Sequence, residues 1–412
     1  MSYLEKLLDG AEVEWLPLGE IGEFIRGNGL QKKDFVETGF PAIHYGQIYT
    51  KYGLSAKKTF TYVSEELARK LRKANKNDLL LATTSENDED VVKPLAWLGE
   101  QAVISGDMML FRHQQDVKYL AYFFQTAIFQ EQKGKYITGA KVRRVSSSDL
   151  AKIQIPIPCP ENPKKSRQIQ SKIVTILDGF AELTAELTAE LTARKKQYTY
   201  YREQLLSFED SEVEWRTLGE VANIQRGASP RPIATYITDD ENGVPWIKIG
   251  DTSPGSKYVD STVQKVTLEG AQKSRILNVG DFIMSNSMSF GRPYILRIRG
   301  AIHDGWASIS GFGEVLNSDY LYHYLSSNTV QNYWSGKINS SSVSNLNADI
   351  IKTLPIPIPN LSKQQKIASI LDKFDALTNS ISEGLPREIA LRQQQYAYYR
   401  DLLFSFPKPA EV

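Results

Sequence analysis

The side chains best suited to chemistry fall in two basic stretches. Lys133, Lys135, Lys141, Arg143 and Arg144 lie within residues 132–148 with no acid among them, and Arg292, Arg297 and Arg299 lie within residues 282–303, again with none. Ammonium and guanidinium groups gathered this way suit phosphate oxygens, although a solvated basic face has the same composition. Groups that would make or break bonds are missing. His44, His113, His303, His323 and the single Cys159 are scattered without metal-ligand spacing. No Pro-Asp pair opens a nuclease carboxylate motif, and no Asn-Pro-Pro-Tyr or Asp-Pro-Pro-Tyr segment is present to hold a target adenine. Nor is there a Gly-x-x-x-x-Gly-Lys-Ser/Thr loop for a nucleoside triphosphate. The acidic run Glu86 to Asp90 reads as a solvated loop in preference to a cation site. Binding, not catalysis, is the expectation.

The elements that position these groups are set by a duplication. Val13-Glu14-Trp15 and Leu18-Gly19-Glu20 return as Val213-Glu214-Trp215 and Leu218-Gly219-Glu220, and Arg26-Gly27 returns as Arg226-Gly227 at the same offset of 200. Ile155-Pro156-Ile157-Pro158 returns as Ile356-Pro357-Ile358-Pro359, and Ile176-Leu177-Asp178 with Phe180 as Ile370-Leu371-Asp372 with Phe374. Gln197-Tyr198, Tyr200-Tyr201-Arg202 and Ser207-Phe208 return as Gln395-Tyr396, Tyr398-Tyr399-Arg400 and Ser405-Phe406. Trp15 and Trp215, fixed in this frame, read as core anchors. Tyr3 to Leu8 echoes the end of each repeat, as expected if the chain ends lie together in a circular, pseudo-twofold arrangement. Residues 28–150 and 228–350 share only scattered likeness, so matched frames carry dissimilar inserts.

After each Ile-Pro-Ile-Pro the sequence reads as a long helix. Asn162 can cap the first, with Pro163 at the first helical position. Its apolar stripe runs Ile169, Ile173, Ile176, Leu177, Phe180, Leu183, Leu187 and Leu191. Ser362 and Gln365 have capping-box spacing for the second, and Gly384 and Pro386 divide it in two. Two such stripes are expected to pair as antiparallel helices. Residues 181–192 read AELTAELTAELT, a helix former that also suits a ruler. Four residues add about 6 Å and turn roughly 40° beyond a full revolution, close to the roughly 34–36° between base pairs of DNA. Runs 78–82, 101–111, 244–250 and 293–302 read as strands, and 117–132 and 318–334 as aromatic-rich helices. The fold class is therefore α+β: two α/β inserts alternating with two long antiparallel scaffold helices.

Bulk composition agrees with a binding protein of ordinary globular type. The 412 residues are 41% hydrophobic and 24% charged, which suggests two or three domains. The 49 basic and 48 acidic residues leave a net charge of +1, so global charge lends no support to nucleic-acid binding. The opening residues have no secretory pattern, no run reaches the roughly 20 apolar residues of a membrane span, and one cysteine fits a reducing cytoplasm.

Taken together, the repeat, the Ile-Pro-Ile-Pro junctions, the ILDGF and ILDKF helix starts and the QYTYYREQLLSF and QYAYYRDLLFSF ends resemble the specificity subunits of type I restriction–modification systems. The resemblance covers essentially the whole chain, and the AELT units resemble the IC subgroup in particular. Arg226-Gly227-Ala228-Ser229-Pro230 followed by Val244-Pro245-Trp246-Ile247 is similar to the opening of many target recognition domains in that family, with a mild departure at Ala228. The first insert has Arg26-Gly27-Asn28-Gly29 instead. Carried over, the resemblance implies target recognition domains at 1–160 and 209–359 and scaffold helical regions at 161–208 and 360–412. Each domain would read one half of a bipartite, asymmetric site in double-stranded DNA. Two modification subunits would methylate adenine and two restriction subunits would join them, using S-adenosylmethionine, ATP and Mg2+ that this chain does not itself bind.

On that reading the favoured DNA contacts are Arg26, Tyr45, Gln47, Tyr49, Lys141, Arg143 and Arg144 in the first insert. In the second they are Arg226, Ser229, Arg231, Lys248, Arg292 and Lys337. Tyr45, Gln47 and Tyr49 alternate, so a strand would put them on one face. Tyr198, Tyr200, Tyr201, Tyr396, Tyr398 and Tyr399 are candidates for partner binding, tyrosine being favoured at interfaces, with packing between the repeats as the alternative. The competing classes are a self-contained methyltransferase or nuclease and a coiled-coil scaffold that reads no DNA. The missing motifs oppose the first, and the two large divergent inserts oppose the second.

Overall fold

The computed structural model describes residues 3–253, 255–286, 291–339, 346–380 and 382–407. The chain divides into two compact units, one drawn from Met1–Thr184 and Arg392–Val412, the other from Ala185–Leu391. Helices and strands are mixed throughout, as an α+β fold requires.

Both units carry two corresponding sheets. In the first, a five-stranded sheet runs Gly22–Arg26, Met108–His113, Leu79–Ala82, Lys93–Trp97, Ser55–Ala56. Its counterpart runs Asn223–Arg226, Trp306–Ser310, Phe282–Ser285, Pro293–Leu296, Tyr258–Val259. In each the last pair is parallel and the others antiparallel. A second sheet pairs Phe40–Ile43 in parallel with Ala102–Ile104 in the first unit and Val244–Ile247 with Gly300–Ile302 in the second. Buried Ile43, Leu80, Leu95, Trp97 and Leu110 fill the space between sheets in one unit, and Ile247, Ile283, Tyr294, Leu296 and Trp306 in the other. The inserts thus share these two sheets despite dissimilar sequences. The strand order of these sheets is shared, apart from an added edge strand, Ile237–Thr238, in the second, and among the described residues only the first unit has the further pair Thr84–Ser85 with Arg143–Arg144.

The repeated frame closes each unit. Val13–Pro17 lies antiparallel to Gln154–Pro158 with Trp15 opposite Pro156, and Glu214–Thr217 lies antiparallel to Pro355–Ile358 with Trp215 opposite Pro357. Prolines donate nothing to a ladder, so this short two-stranded edge tolerates them. Trp15 is buried and its indole N–H donates to the Pro407 carbonyl (3.1 Å). Trp215 is 38% exposed on a strand whose outer face is uncovered, so it is not the core anchor its repeat position suggests.

Helix Pro163–Leu205 starts as expected, with Lys165 N donating to Asn162 Oδ1 (3.1 Å). Helix Leu361–Asn379 is capped by Asn360, which accepts from Lys363 N (2.9 Å), so the true start lies two residues before the Ser362 spacing. The following helix begins at Gly384 and ends at Leu403. Four expected runs are each broken. Residues 101–111 form Ala102–Ile104 and Met108–His113, and 293–302 form Pro293–Leu296 and Gly300–Ile302. The helical runs divide into Val117–Phe123 with Ala127–Gly134, and Ser318–Leu325 with Asn328–Asn339. Thr126, as the cap of Ala127–Gly134, accepts from Phe129 N and sets the break in the first helical run.

The tail of each repeat is built into a core. Leu403, Phe404 and Phe406 pack with Leu7, Tyr119, Phe123, Ile173 and Leu177 in the first unit. Tyr198 and Leu206 pack with Tyr320, Tyr324, Ile367 and Leu371 in the second. The two chain ends therefore share the first unit's core, in agreement with a circular arrangement.

Candidate nucleic-acid interface

A strand, a glycine and two loops build the same corner in each unit. Arg26 ends the strand Gly22–Arg26, and its Nε–H donates to the Gly106 carbonyl at 3.1 Å. Arg226 ends Asn223–Arg226, and its Nε–H donates to the Asp304 carbonyl, also at 3.1 Å. The next residue must be glycine. A Cβ on Gly27 would stand 2.1 Å from the Ser105 carbonyl oxygen, and one on Gly227 would stand 2.1 Å from that of His303. Gly27 N donates to Met108 O (2.9 Å) and Gly227 N to Trp306 O (2.8 Å). Ser105 N donates to Ile43 O (3.2 Å) and His303 N to Ile247 O (3.1 Å). The first insert, whose opening departs from the expected pattern, has the same corner.

In the second unit the corner gathers three of the expected residues. Ser229 Oγ donates to Asp304 Oδ1 (2.9 Å) and accepts from Asp304 N (3.2 Å). Arg231 is 86% exposed, with Nη2 3.9 Å from Asp304 Oδ2. Burial pushes the Asp304 carboxyl up, but the Ser229 hydroxyl, His303 and Arg226 outweigh it and hold the group below the usual range. Lys248 Nζ donates to Gln264 Oε1 (2.7 Å), beside the turn in which Lys248 N donates to Asp251 Oδ2 (2.8 Å). Arg292 and Lys337 are placed differently. Arg292 lies over the Tyr294 ring and lines a cavity of about 460 Å³ with Tyr198, Arg202, Tyr322 and Asp375. Lys337 lies over Tyr333 on helix Asn328–Asn339. Asp304 was not among the residues expected from sequence; the repeated Arg-Gly pair was the signal that could have led to it.

In the first unit Tyr45, Gln47 and Tyr49 are on a helix, Tyr45–Thr50, and not on a strand. A reciprocal cap overrides the alternation: Gly46 N donates to His44 Nδ1 (3.2 Å) and His44 N to Gln47 Oε1 (2.9 Å). Burial, then Lys32, lowers the His44 pKa, keeping the imidazole an acceptor. Gln47 is buried, and Tyr49 Oη donates toward the carbonyls of Ala82, Thr84 and Asp90. Burial, then Asp90, raises the Tyr49 phenol. Tyr45 N donates to Ser105 Oγ (3.0 Å) within the corner.

The basic stretch and the acidic run of the first unit meet. Arg143 pairs with Asp88 (2.8 Å), and Lys133, 1% exposed, donates from Nζ to the carbonyls of Glu89 and Val91 (3.0 Å each). Burial pushes Lys133 down to about 8, and its place is structural. Lys141 and Arg144 are exposed. Among the described residues no group of His, Cys, Asp or Glu could hold a metal ion, and no helix is long and apolar enough to cross a membrane.

The tyrosines divide by burial. Tyr198 is buried with its hydroxyl donating to His323 Nδ1 (3.0 Å), and Tyr396 Oη donates to Gln125 Oε1 (3.1 Å). Tyr201 stacks on Phe374 and Tyr399 on Phe180. Tyr200 and Tyr398 are 57% and 63% exposed.

Each unit grips its repeat helix through the aspartate of the Ile-Leu-Asp motif. Asp178 accepts from Lys118 Nζ (2.5 Å) and Tyr122 Oη (2.6 Å). Asp372 accepts from Lys257 Nζ (2.6 Å) and His323 Nε2 (2.8 Å).

Comparisons with known proteins identify the family and the fold. The profile of the type I restriction modification DNA specificity domain matches residues 11–194 and 210–391. The chain is 38% identical over 426 aligned residues to the specificity subunit of the Escherichia coli type I restriction enzyme EcoR124I/EcoR124II, covering 100% of the chain and 99% of that protein. It is 32% identical over 395 residues to the Escherichia coli EcoprrI specificity subunit, covering 93% and 92%. Among solved structures, the S subunit of a type I restriction-modification system from M. genitalium superposes with a TM-score of 0.55 at 14% identity, over 99% of the chain and 100% of that one. A chain from a structure reported on complex assembly and conformational transition of the type I R-M system gives 0.65 at 16%, over 95% and 97%.

Proposed function

The chain belongs to the type I restriction–modification DNA specificity family, and we propose that it reads a bipartite, asymmetric DNA sequence with one half-site assigned to each insert. As a specificity subunit it recognises DNA sequence within the restriction–modification complex, a non-catalytic role. The observation that carries the bipartite reading is the corner repeated on one backbone with different side chains. A constant frame presenting variable loops is how one architecture reads unrelated targets. Arg26, Arg226 and Arg231, with Lys141, Arg144 and Lys248, supply phosphate and base-edge contacts. Ser229 orders the second corner, and Tyr45 and Arg143 lie at the margins of the first surface. Gln47 and Tyr49 support that surface from inside, and Arg292 and Lys337 serve the second insert away from its corner.

The partners in this proposal are two modification subunits that methylate adenine with S-adenosylmethionine and two restriction subunits that use ATP and Mg2+. Tyr200 and Tyr398, with Tyr201 and Tyr399 beside them, form the docking positions, while Tyr198 and Tyr396 brace them from within. The inserts with their flanking strands, residues 1–160 and 209–359, act as the readers, and 161–208 and 360–412 as the spacer. Within the spacer each AELT unit sets the separation of half-sites by about one base-pair step.

Adenine-methylation sequencing of cells carrying the chain with a matched modification subunit tests this. A split, asymmetric motif should appear only when the chain is present. Deleting Thr184–Leu187 should shorten the gap between halves and leave the halves themselves unchanged. Methylation indifferent to the chain would refute the reading, and an unchanged gap would refute the ruler.

A further inference from the structure

Superposing the two repeats position by position isolates one side chain. The corner places Ser105, Gly106 and Met108 where the second unit has His303, Asp304 and Trp306, as the matched hydrogen bonds of Gly27 and Gly227 require. On that shared backbone the first unit has a glycine and the second a carboxylate. Asp304 is 29% exposed, with Oδ1 fixed by the Ser229 hydroxyl at 2.9 Å. His303 Nδ1 also lies 3.1 Å from Oδ1, whereas Arg231 Nη2 pairs with Oδ2 at 3.9 Å, beyond hydrogen-bond reach, so Oδ2 keeps its capacity to accept a hydrogen bond. Exposed Arg226 and Arg231 surround it, and the carboxyl is held ionised.

A carboxylate in a basic patch repels phosphates, so its presence there calls for a partner other than the backbone. On duplex DNA the donors offered to an acceptor-only group are the exocyclic amines, cytosine N4 and adenine N6 in the major groove. We infer that Asp304 is a specificity-determining residue of the second insert, accepting a hydrogen bond from a base amino group at one position of its half-site. Ser229 aims the carboxylate, and Arg226 and Arg231 hold the flanking phosphates. The first insert, with Gly106 at this place, reads its half-site without a carboxylate there. This inference rests on the specificity reading above.

The test is adenine-methylation sequencing with the full chain and its modification subunit, comparing wild type with Asp304→Gly, the residue the first corner already accommodates, and with the near-isosteric Asp304→Asn. One position in one half-site should lose discrimination in Asp304→Gly, with methylation at sites carrying other bases there rising at least about tenfold. The other half-site should stay as it was. If the relaxed base is cytosine, N4 is the donor; if adenine, N6. Asp304→Asn should weaken the same position, and this arm decides the matter if the glycine variant abolishes methylation. An unchanged motif in Asp304→Asn, or relaxation spread over both half-sites, would overturn the inference. Wild-type chain that directs no methylation would instead sink the specificity reading itself.

Discussion

Replacing Asp372 with alanine tests how the second insert is held to its helix. Asp372 sits on helix Leu361–Asn379 and takes Lys257 Nζ at 2.6 Å and His323 Nε2 at 2.8 Å. Lys257 is 6% exposed and His323 is fully buried, so neither can turn to water when the carboxylate goes. Removing one partner of a buried ion pair costs about 3–5 kcal/mol. Two features reduce this here. Asp372 itself is 38% exposed, and Lys257 keeps Asp319 at 2.6 Å. An expected cost of about 2 kcal/mol, or roughly thirtyfold in the local opening equilibrium, follows.

Hydrogen exchange followed by mass spectrometry reads this segment by segment. Segments 318–325 and 361–379 should exchange roughly thirtyfold faster in Asp372→Ala, while 117–123 and 163–177 in the first unit should be unaffected. Adding Lys257→Met should recover part of the loss, because the buried Lys257 cation, left with Asp319 alone, contributes to the cost. Less than about threefold acceleration in the second unit would refute the argument, as would equal acceleration in the first. A double variant less stable than Asp372→Ala would show that the Lys257–Asp319 pair outweighs the cost of the half-compensated cation.

Three further outcomes are expected. Gly227→Ala should cost about 1–3 kcal/mol and weaken DNA binding together, since its Cβ meets the His303 carbonyl at 2.1 Å; a melt and a binding titration on the same sample check it. Burial holds His113 down to about 4 and also lowers His44 and His323, so these rings stay neutral in the folded chain while unfolded histidine titrates near 6.5. The His113 contribution is complete above about pH 6.5 and falls by about 3 kcal/mol as pH drops toward 4, with His44 and His323 acting in the same direction; urea midpoints between pH 7.5 and 5 should decline, less steeply in His113→Asn. Tyr398→Ala, at a 63% exposed position, should leave stability within about 0.5 kcal/mol yet weaken modification-subunit binding about tenfold, whereas Tyr198→Ala should lose about 3 kcal/mol; calorimetric titration and melting separate the two.

The frame was legible in the sequence because its signals are local and chemical. Asn162-Pro163 is a cap, Gly384 starts a helix, and Ile-Pro-Ile-Pro marks the junction before each long helix, although its strand form, with isoleucines facing the core, was not read from the sequence. The inserts were not legible. Tyr45-Gln47-Tyr49 alternates like a strand, yet the His44–Gln47 cap commits it to a helix through side-chain to backbone bonds that periodicity does not register. Trp15 and Trp215 share a motif, but only Trp15 has the Pro407 segment over it. Shared strand order between the inserts was hidden because interchangeable apolar residues, such as Leu80 and Ile283 or Trp97 and Leu296, fill equivalent cores. Gly27 and Gly227, where backbone meets backbone, kept their identity.

That pattern separates what holds an insert from what it presents. Gln170 accepts from Asp116 N and Gln364 from Asn317 N, at 2.9 and 2.8 Å, and Tyr119 and Tyr320 donate to the carbonyls of Pro156 and Pro357. Gln170 and Gln364, and the helix aspartates Asp178 and Asp372, are constant, while the side chains facing the aspartates have changed by compensation. In the first unit the cation facing Asp178 is Lys118, on the insert's own helix. The matching helix position in the second is Asp319, and Lys257, beside an edge strand, serves both Asp319 and Asp372. Charge balance at the grip has therefore been rebuilt from a different element without altering the helix residue it engages. A grip that tolerates such exchange shares no residue with the Arg-Gly corner, which carries Gly106 in one case and Asp304 in the other.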